Sequence, residues 1–140
     1  MKIELSFKEI EDIIRNKSGM ELSFAKVSES TIQITKTLSM VLAKLDIDIN
    51  ATIEPISVPN VIKASISVGN LVDKLMPLAN STITSMLEAV LPHEAYTMEG
   101  GRHITLYVDK IPQLQTFCEM FVIKALHINE DGIAVLCDVK

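Results

Sequence analysis

"LDIDINATIEPISVPNVIKASISV", residues 45–68, decides the fold. Leu45, Ile47, Ile49, Ala51 and Ile53 alternate with Asp46, Asp48, Asn50 and Thr52. Successive side chains of a strand point to opposite faces, so this period of two describes a strand with one dry and one wet face. The return run repeats it. Ile62, Ala64, Ile66 and Val68 turn inward while Lys63, Ser65 and Ser67 turn outward. Pro55 and Pro59 bracket the connection, where a missing N–H does little harm. One register sets Ile47 against Val68, Ile49 against Ile66 and Ala51 against Ala64. Two facing alanines would leave a shallow dent, open to a close-packed helix or to an acyl chain. Other registers of the same parity move that dent.

Upstream, "MKIELS" alternates as a short strand and "SFKEIEDIIRNKSG" carries a helix. Ser6 and Glu9 have the S-x-x-E spacing of a capping box, and Gly19 fits the helix stop. Ile10, Ile13 and Ile14 share the inner face with Phe7 beside them, and Lys8, Glu11, Asp12 and Arg15 take the outer face. "ELSFAKV" then places Leu22 and Phe24 inward, and "TIQIT" does the same for Ile32 and Ile34. Even parity continues through Leu38, Met40 and Leu42, then becomes odd from Leu45. An extra residue, a bend or a turn is expected near Lys44.

Downstream, "NLVDKLMPLANSTITSMLEAVLP" (residues 70–92) reads as one long helix whose apolar face spans about half its circumference. Pro77 falls on its polar half and should bend or break it there. "HEAYTMEGGRHITLYVD" reads as a hairpin with Gly100-Gly101 as its two-residue loop. "KIPQLQTFCEM" is a connection or short helix. "FVIKALHINEDGIAVLCDVK" is a last hairpin turning at Asn129–Gly132. The expected fold class is α+β, in a single domain over residues 1–140. A curved antiparallel sheet of hairpins packs around one long, proline-bent helix, preceded by a short N-terminal helix.

Composition narrows the function. The 140 residues are 48% hydrophobic and 22% charged, a globular balance, and only 4% aromatic, so the core is aliphatic. A net charge of −5, with no basic stripe, disfavours nucleic acid. No segment approaches the roughly 20 apolar residues of a membrane span. "MKIELSFKEIEDII" lacks the apolar run of a signal peptide, so the expected location is cytoplasmic unless a leader has been removed.

Catalytic chemistry is not indicated. There is no phosphate-cradling glycine loop, no C-x-x-C and no H-E-x-x-H. His93, His103 and His127 are scattered singly, so no metal and no cofactor is expected. Cys118 and Cys137 sit in apolar stretches, where burial makes a thiol inert. Asp46 and Asp48 read as a solvated face. Were there an enzyme site, His93, Arg102 and His103 near the double glycine would be the first place to look.

A short helix, alternating strands, a long apolar helix and further hairpins ending in "HINEDGIAVLCDV" make up most of the chain, from Lys2 to Val139. This order resembles small bacterial lipid-binding-like domains of the tubular lipid-binding superfamily. The resemblance implies a long curved sheet wrapped around a helix, with an apolar groove between them. It carries over no binding residue one for one. From the residues themselves, the expected groove is lined by Ile49, Ala51, Ala64, Ile66, Leu75, Met76, Ala79, Ile83 and Met86, the methionines giving an adaptable wall. The expected function is non-enzymatic binding of a lipid-like or other apolar small molecule. The alternative is an interaction module with a filled core, forming a homodimer or adding a strand edge, such as the one near "TIQIT", to a partner sheet.

Overall fold

A computed structural model describes residues 1–39, 41–68 and 76–140. Ser6 ends strand β1 (Lys2–Ser6) and starts helix α1 (Phe7–Ser18). Its hydroxyl accepts the Glu9 N–H at 3.0 Å, and its own N–H donates to Glu9 Oε1 at 3.3 Å, completing the expected capping box. Gly19 closes the helix at φ 75°, donating to Arg15 O at 2.8 Å. Phe7 and Ile14 are buried, but Ile13, expected inward, is exposed. Glu11, expected on the wet face, instead accepts the Phe24 N–H at 2.9 Å and caps a strand edge.

Four strands follow: β2 (Leu22–Lys26), β3 (Thr31–Ser39), β4 (Lys44–Ile53) and β5 (Val61–Val68). The parity change near Lys44 is a hairpin turn between β3 and β4. Leu42, expected inward, is fully exposed there because it lies beyond the last paired rung, Ser39 opposite Lys44. Met40 falls outside the described residues. "TIQIT" is no edge: β3 pairs with both β2 and β4.

The hairpin of residues 45–68 has the expected parity but a register two residues away. Ile49 faces Val68, Ala51 faces Ile66, and Ile53 faces Ala64. Both registers bury the same side chains, so alternation cannot choose between them. The connection chooses, where Val61 N–H donates to Val58 O at 3.2 Å and Asn60 turns the chain at φ 60°. The two alanines therefore do not meet.

Helix α2 is described over Met76–Val90, with Pro77 as its second residue. The part of the expected helix before Met76 lies outside the described residues, so a bend at Pro77 is not shown. A 3-10 turn (His93–Ala95) leads into β6 (Tyr96–Glu99) and β7 (His103–Tyr107). Gly100 and Gly101 stand at φ 59° and 68°, as expected for a tight turn, and Arg102 N–H closes it onto Glu99 O at 3.1 Å. Strand pairing resumes only with Glu99 opposite His103, so the loop includes Arg102 and is one residue longer than expected. Helix α3 (Gln115–Met120) precedes the final hairpin, β8 (Phe121–Ile128) and β9 (Gly132–Val139).

The strands form two antiparallel sheets, one ordered β2-β3-β4-β5-β7-β6 and the other β1-β9-β8. One aliphatic cluster joins them. Ile32, Ile34, Ile47, Ile49, Ile66 and Ile104 of the larger sheet meet Phe7 and Ile14 of α1, Ala79, Ile83 and Leu87 of α2, and Ile128 of the smaller sheet. A second, smaller cluster gathers Val108, Cys118, Ile123 and Cys137. Antiparallel sheets tolerate water on one face. The outer face of β3 and β4 accordingly carries Thr31–Thr52, Thr35–Asp48 and Thr37–Asp46 hydrogen bonds at 3.0, 2.8 and 2.6 Å.

Candidate functional site

The expected groove residues divide into four groups. Ile49, Ile66, Ala79 and Ile83 are buried and packed within the main cluster. Ala51, Met76 and Met86 are partly buried against it. Ala64 stands apart and lines an open cleft of about 450 Å³ with Val61, Lys63, Thr105 and Tyr107. Leu75 lies outside the described residues. Between α2 and the larger sheet, Ile49, Ile66, Ala79 and Ile83 belong to one packed cluster.

Large apolar side chains are exposed at several places among the described residues, Val139, Val27 and Met120 included, and two of these places hold more than one neighbouring side chain. One is the β3–β4 turn, where Val41 and Leu42 are 100% and 97% exposed. Another is the β1 edge, where Met1 just before the strand and Ile3 and Leu5 within it are 58%, 37% and 38% exposed in a row. Strand β1 is an edge of the smaller sheet. Ile3 lies opposite Val135 and Leu5 opposite Ile133, and those partners pack into the two clusters. The β1 apolar row thus continues the core face of the sheet past its last covered strand. Lys2 and Glu4 occupy the other face and form an exposed ion pair at 3.0 Å.

The backbone of β1 is ordered by the same alternation. Met1 N donates to Cys137 O at 3.0 Å, and Cys137 N–H donates to Met1 O at 2.9 Å. Phe7 N–H donates to Asp131 O at 2.7 Å. Antiparallel strands direct alternate residues to alternate sides, so Ile3 and Leu5 also bond to β9. Lys2 and Glu4 direct their N–H and C=O groups to the open edge.

Of the residues noted for chemistry, Cys118 and Cys137 share the smaller apolar cluster, while His93 and His103 lie on different sides of the larger sheet. His93 stacks on the Tyr96 ring at 6.2 Å, and Tyr96 packs on the core side of the sheet. His103, one position from the buried Ile104, faces the opposite side. Cys118 and Cys137 are both buried and free. Burial pushes both thiols up, and Asp109 adds to the push on Cys118. Among the described residues no three His, Cys, Asp or Glu groups gather as a metal site. Among them, too, no helix is long and apolar enough to cross a membrane.

No protein-family model, curated protein or solved structure matches this chain.

Two features of the fold are absent from the sequence reading. The first is the pairing of β1 with β9 across the full length of the chain. The alternation of "MKIEL" signals a strand but names no partner. The second is Asn60, buried in a loop that reads only as a proline-bracketed connection. A buried asparagine at positive φ leaves no periodic trace.

Proposed function

We propose that the protein is a non-enzymatic interaction module that assembles through exposed apolar surface on a sheet edge. The observation that carries this reading is the exposed row Met1, Ile3 and Leu5 along the outer strand of the smaller sheet. A strand edge presents unpaired N–H and C=O groups, and a second strand can satisfy them while drying the adjacent apolar side chains. The burial of Ile49, Ile66, Ala79 and Ile83 in one cluster supports a binding surface outside rather than inside. Sedimentation velocity across a hundredfold concentration range tests it. A sedimentation coefficient that rises with concentration supports the module, and a strict monomer with no binding partner overturns it.

A second reading keeps an apolar, lipid-like ligand between the larger sheet and α2. Its support is the half-buried state of Ala51, Met76 and Met86 along that seam, together with the resemblance in element order to tubular lipid-binding domains. Methionine walls adapt to variable apolar guests. Displacement of a fluorescent fatty acid from the purified protein tests this reading, and no binding at micromolar probe removes it.

A further inference from the structure

Among the described residues, four strands form the edges of the two sheets, and they are not equivalent. At β2, the Glu11 carboxylate holds the Phe24 N–H. At β8, Asn60 Oδ1 accepts the Ile123 N–H at 3.0 Å, Glu29 O accepts the Ile128 N–H at 3.1 Å, and the strand is irregular between Ile123 and Ala125. Bulges and covered N–H groups are two of the protections against edge pairing, alongside short strands and charged edge side chains. Strand β6 has only four residues, and its apolar Tyr96 and Met98 pack on the main cluster. Strand β1 pairs in unbroken register with β9, and its Ile3 and Leu5, with Met1 just before them, are exposed.

We infer that β1 is a homodimerisation edge, on which two copies pair antiparallel about a two-fold axis through Ile3. This inference rests on the interaction-module reading and names its partner. The sequence Met1-Lys2-Ile3-Glu4-Leu5 is complementary to itself in that arrangement. Lys2 faces Glu4 of the partner subunit, and Glu4 faces Lys2 of the partner subunit. On the other face Met1 meets Leu5 of the partner subunit, and Ile3 sits on the axis against its own copy. Opposite charges and apolar pairs directly across a strand pair are both favourable, whereas like charges there are unfavourable.

The backbone parity agrees with the same register. Lys2 and Glu4 are the residues whose N–H and C=O groups point to the open edge. In an antiparallel pair, directly opposed residues of this kind exchange both hydrogen bonds. Lys2 with Glu4 of the partner subunit, and the reciprocal pair, make four such bonds. Ile3 then occupies the non-bonded position on the axis, where side chains approach most closely. The two smaller sheets merge into one six-stranded sheet in the order β8-β9-β1-β1-β9-β8. The interface is isologous and closed, so it stops at two copies.

Charge exchange tests the register. Lys2→Glu and Glu4→Lys each replace two opposite-charge pairs with two like-charge pairs. Each should raise the dimer dissociation constant by roughly tenfold or more in sedimentation velocity. The double variant Lys2→Glu/Glu4→Lys restores complementarity and should return to within a few-fold of wild type. Mixing the two single variants should give heterodimers in preference to either homodimer. Both side chains are exposed, so circular dichroism should be unchanged in all three variants. Single variants that dimerise like wild type, or a double variant as weak as the singles, overturn this register while leaving the interaction module standing. A wild-type chain that is monomeric at every concentration and binds no partner overturns the module itself.

Discussion

The N–H of Ile123 donates to Asn60 Oδ1 at 3.0 Å, in a buried seam where the edge of the smaller sheet meets the β4–β5 connection of the larger one. Asn60 also accepts the Val108 N–H on its backbone oxygen at 3.0 Å, and its Nδ2 reaches Phe121 O at 3.5 Å. Its side-chain amide thus acts as a one-residue strand against β8. Its φ of 60° adds a second requirement, because few residues other than glycine and asparagine adopt that conformation without strain.

The two roles separate by substitution. Asn60→Gly keeps the backbone conformation and leaves the Ile123 N–H without its partner, at a cost of about 1–3 kcal/mol in denaturant unfolding. Asn60→Ala adds the strain of positive φ and should cost about 1 kcal/mol more. Equal stabilities for wild type and Asn60→Gly would show that the amide does not join the sheets.

Gly132 lies opposite Ser6, where a Cβ would meet the backbone of Leu5 and Ser6. Backbone cannot rotate away as a flexible side chain can. Gly132→Ala should therefore push β1 from β9, lowering stability by about 1–3 kcal/mol. Amide exchange at Ile3 and Leu5 should rise with it. Unchanged exchange at those two amides would contradict the pairing.

Glu11 crosses from α1 to cap the β2 edge at Phe24. Hydrogen bonds to charged groups contribute roughly 1.5–3 kcal/mol, and partial exposure reduces that. Glu11→Ala should cost about 1–2 kcal/mol by thermal or urea unfolding, and Glu11→Gln should recover part of the loss. No change in either variant would make the contact incidental.

Burial holds the thiols of Cys118 and Cys137 above their ordinary range. The folded state therefore keeps those protons more tightly than the unfolded state does. The stability this contributes is fully present below the ordinary thiol range. It is lost as pH rises past that range toward the raised folded values. Labelling by a thiol reagent at pH 8 should be slow in water and should accelerate with unfolding. Rapid labelling of both cysteines in the folded protein would contradict their burial.

Local structure was legible in the sequence wherever a side chain reports its own neighbourhood. Ser6, Glu9 and Gly19 signal both ends of α1, and alternation marks the inward faces of β2 to β5. Long-range choices were not legible. The hairpin register moved by two because both registers bury the same isoleucines. The β1–β9 pairing joins the two ends of the chain, and no local pattern encodes it. Pairing also placed β3 inside the sheet rather than at its edge. Of the expected groove residues, Ile49, Ile66, Ala79 and Ile83 were legible as apolar and inward. Inward alternation does not distinguish a filled contact from a ligand wall, since both require the same side chains.

Amide hydrogen exchange, read at low and high protein concentration and again with a fatty acid present, separates pairing at the β1 edge from an interior ligand. Protection at Lys2 and Glu4 should rise with protein concentration, and the fatty acid should leave Ala79–Leu87 unchanged. Edge amides that exchange equally fast at every concentration, with ligand-induced protection in Ala79–Leu87, would contradict both.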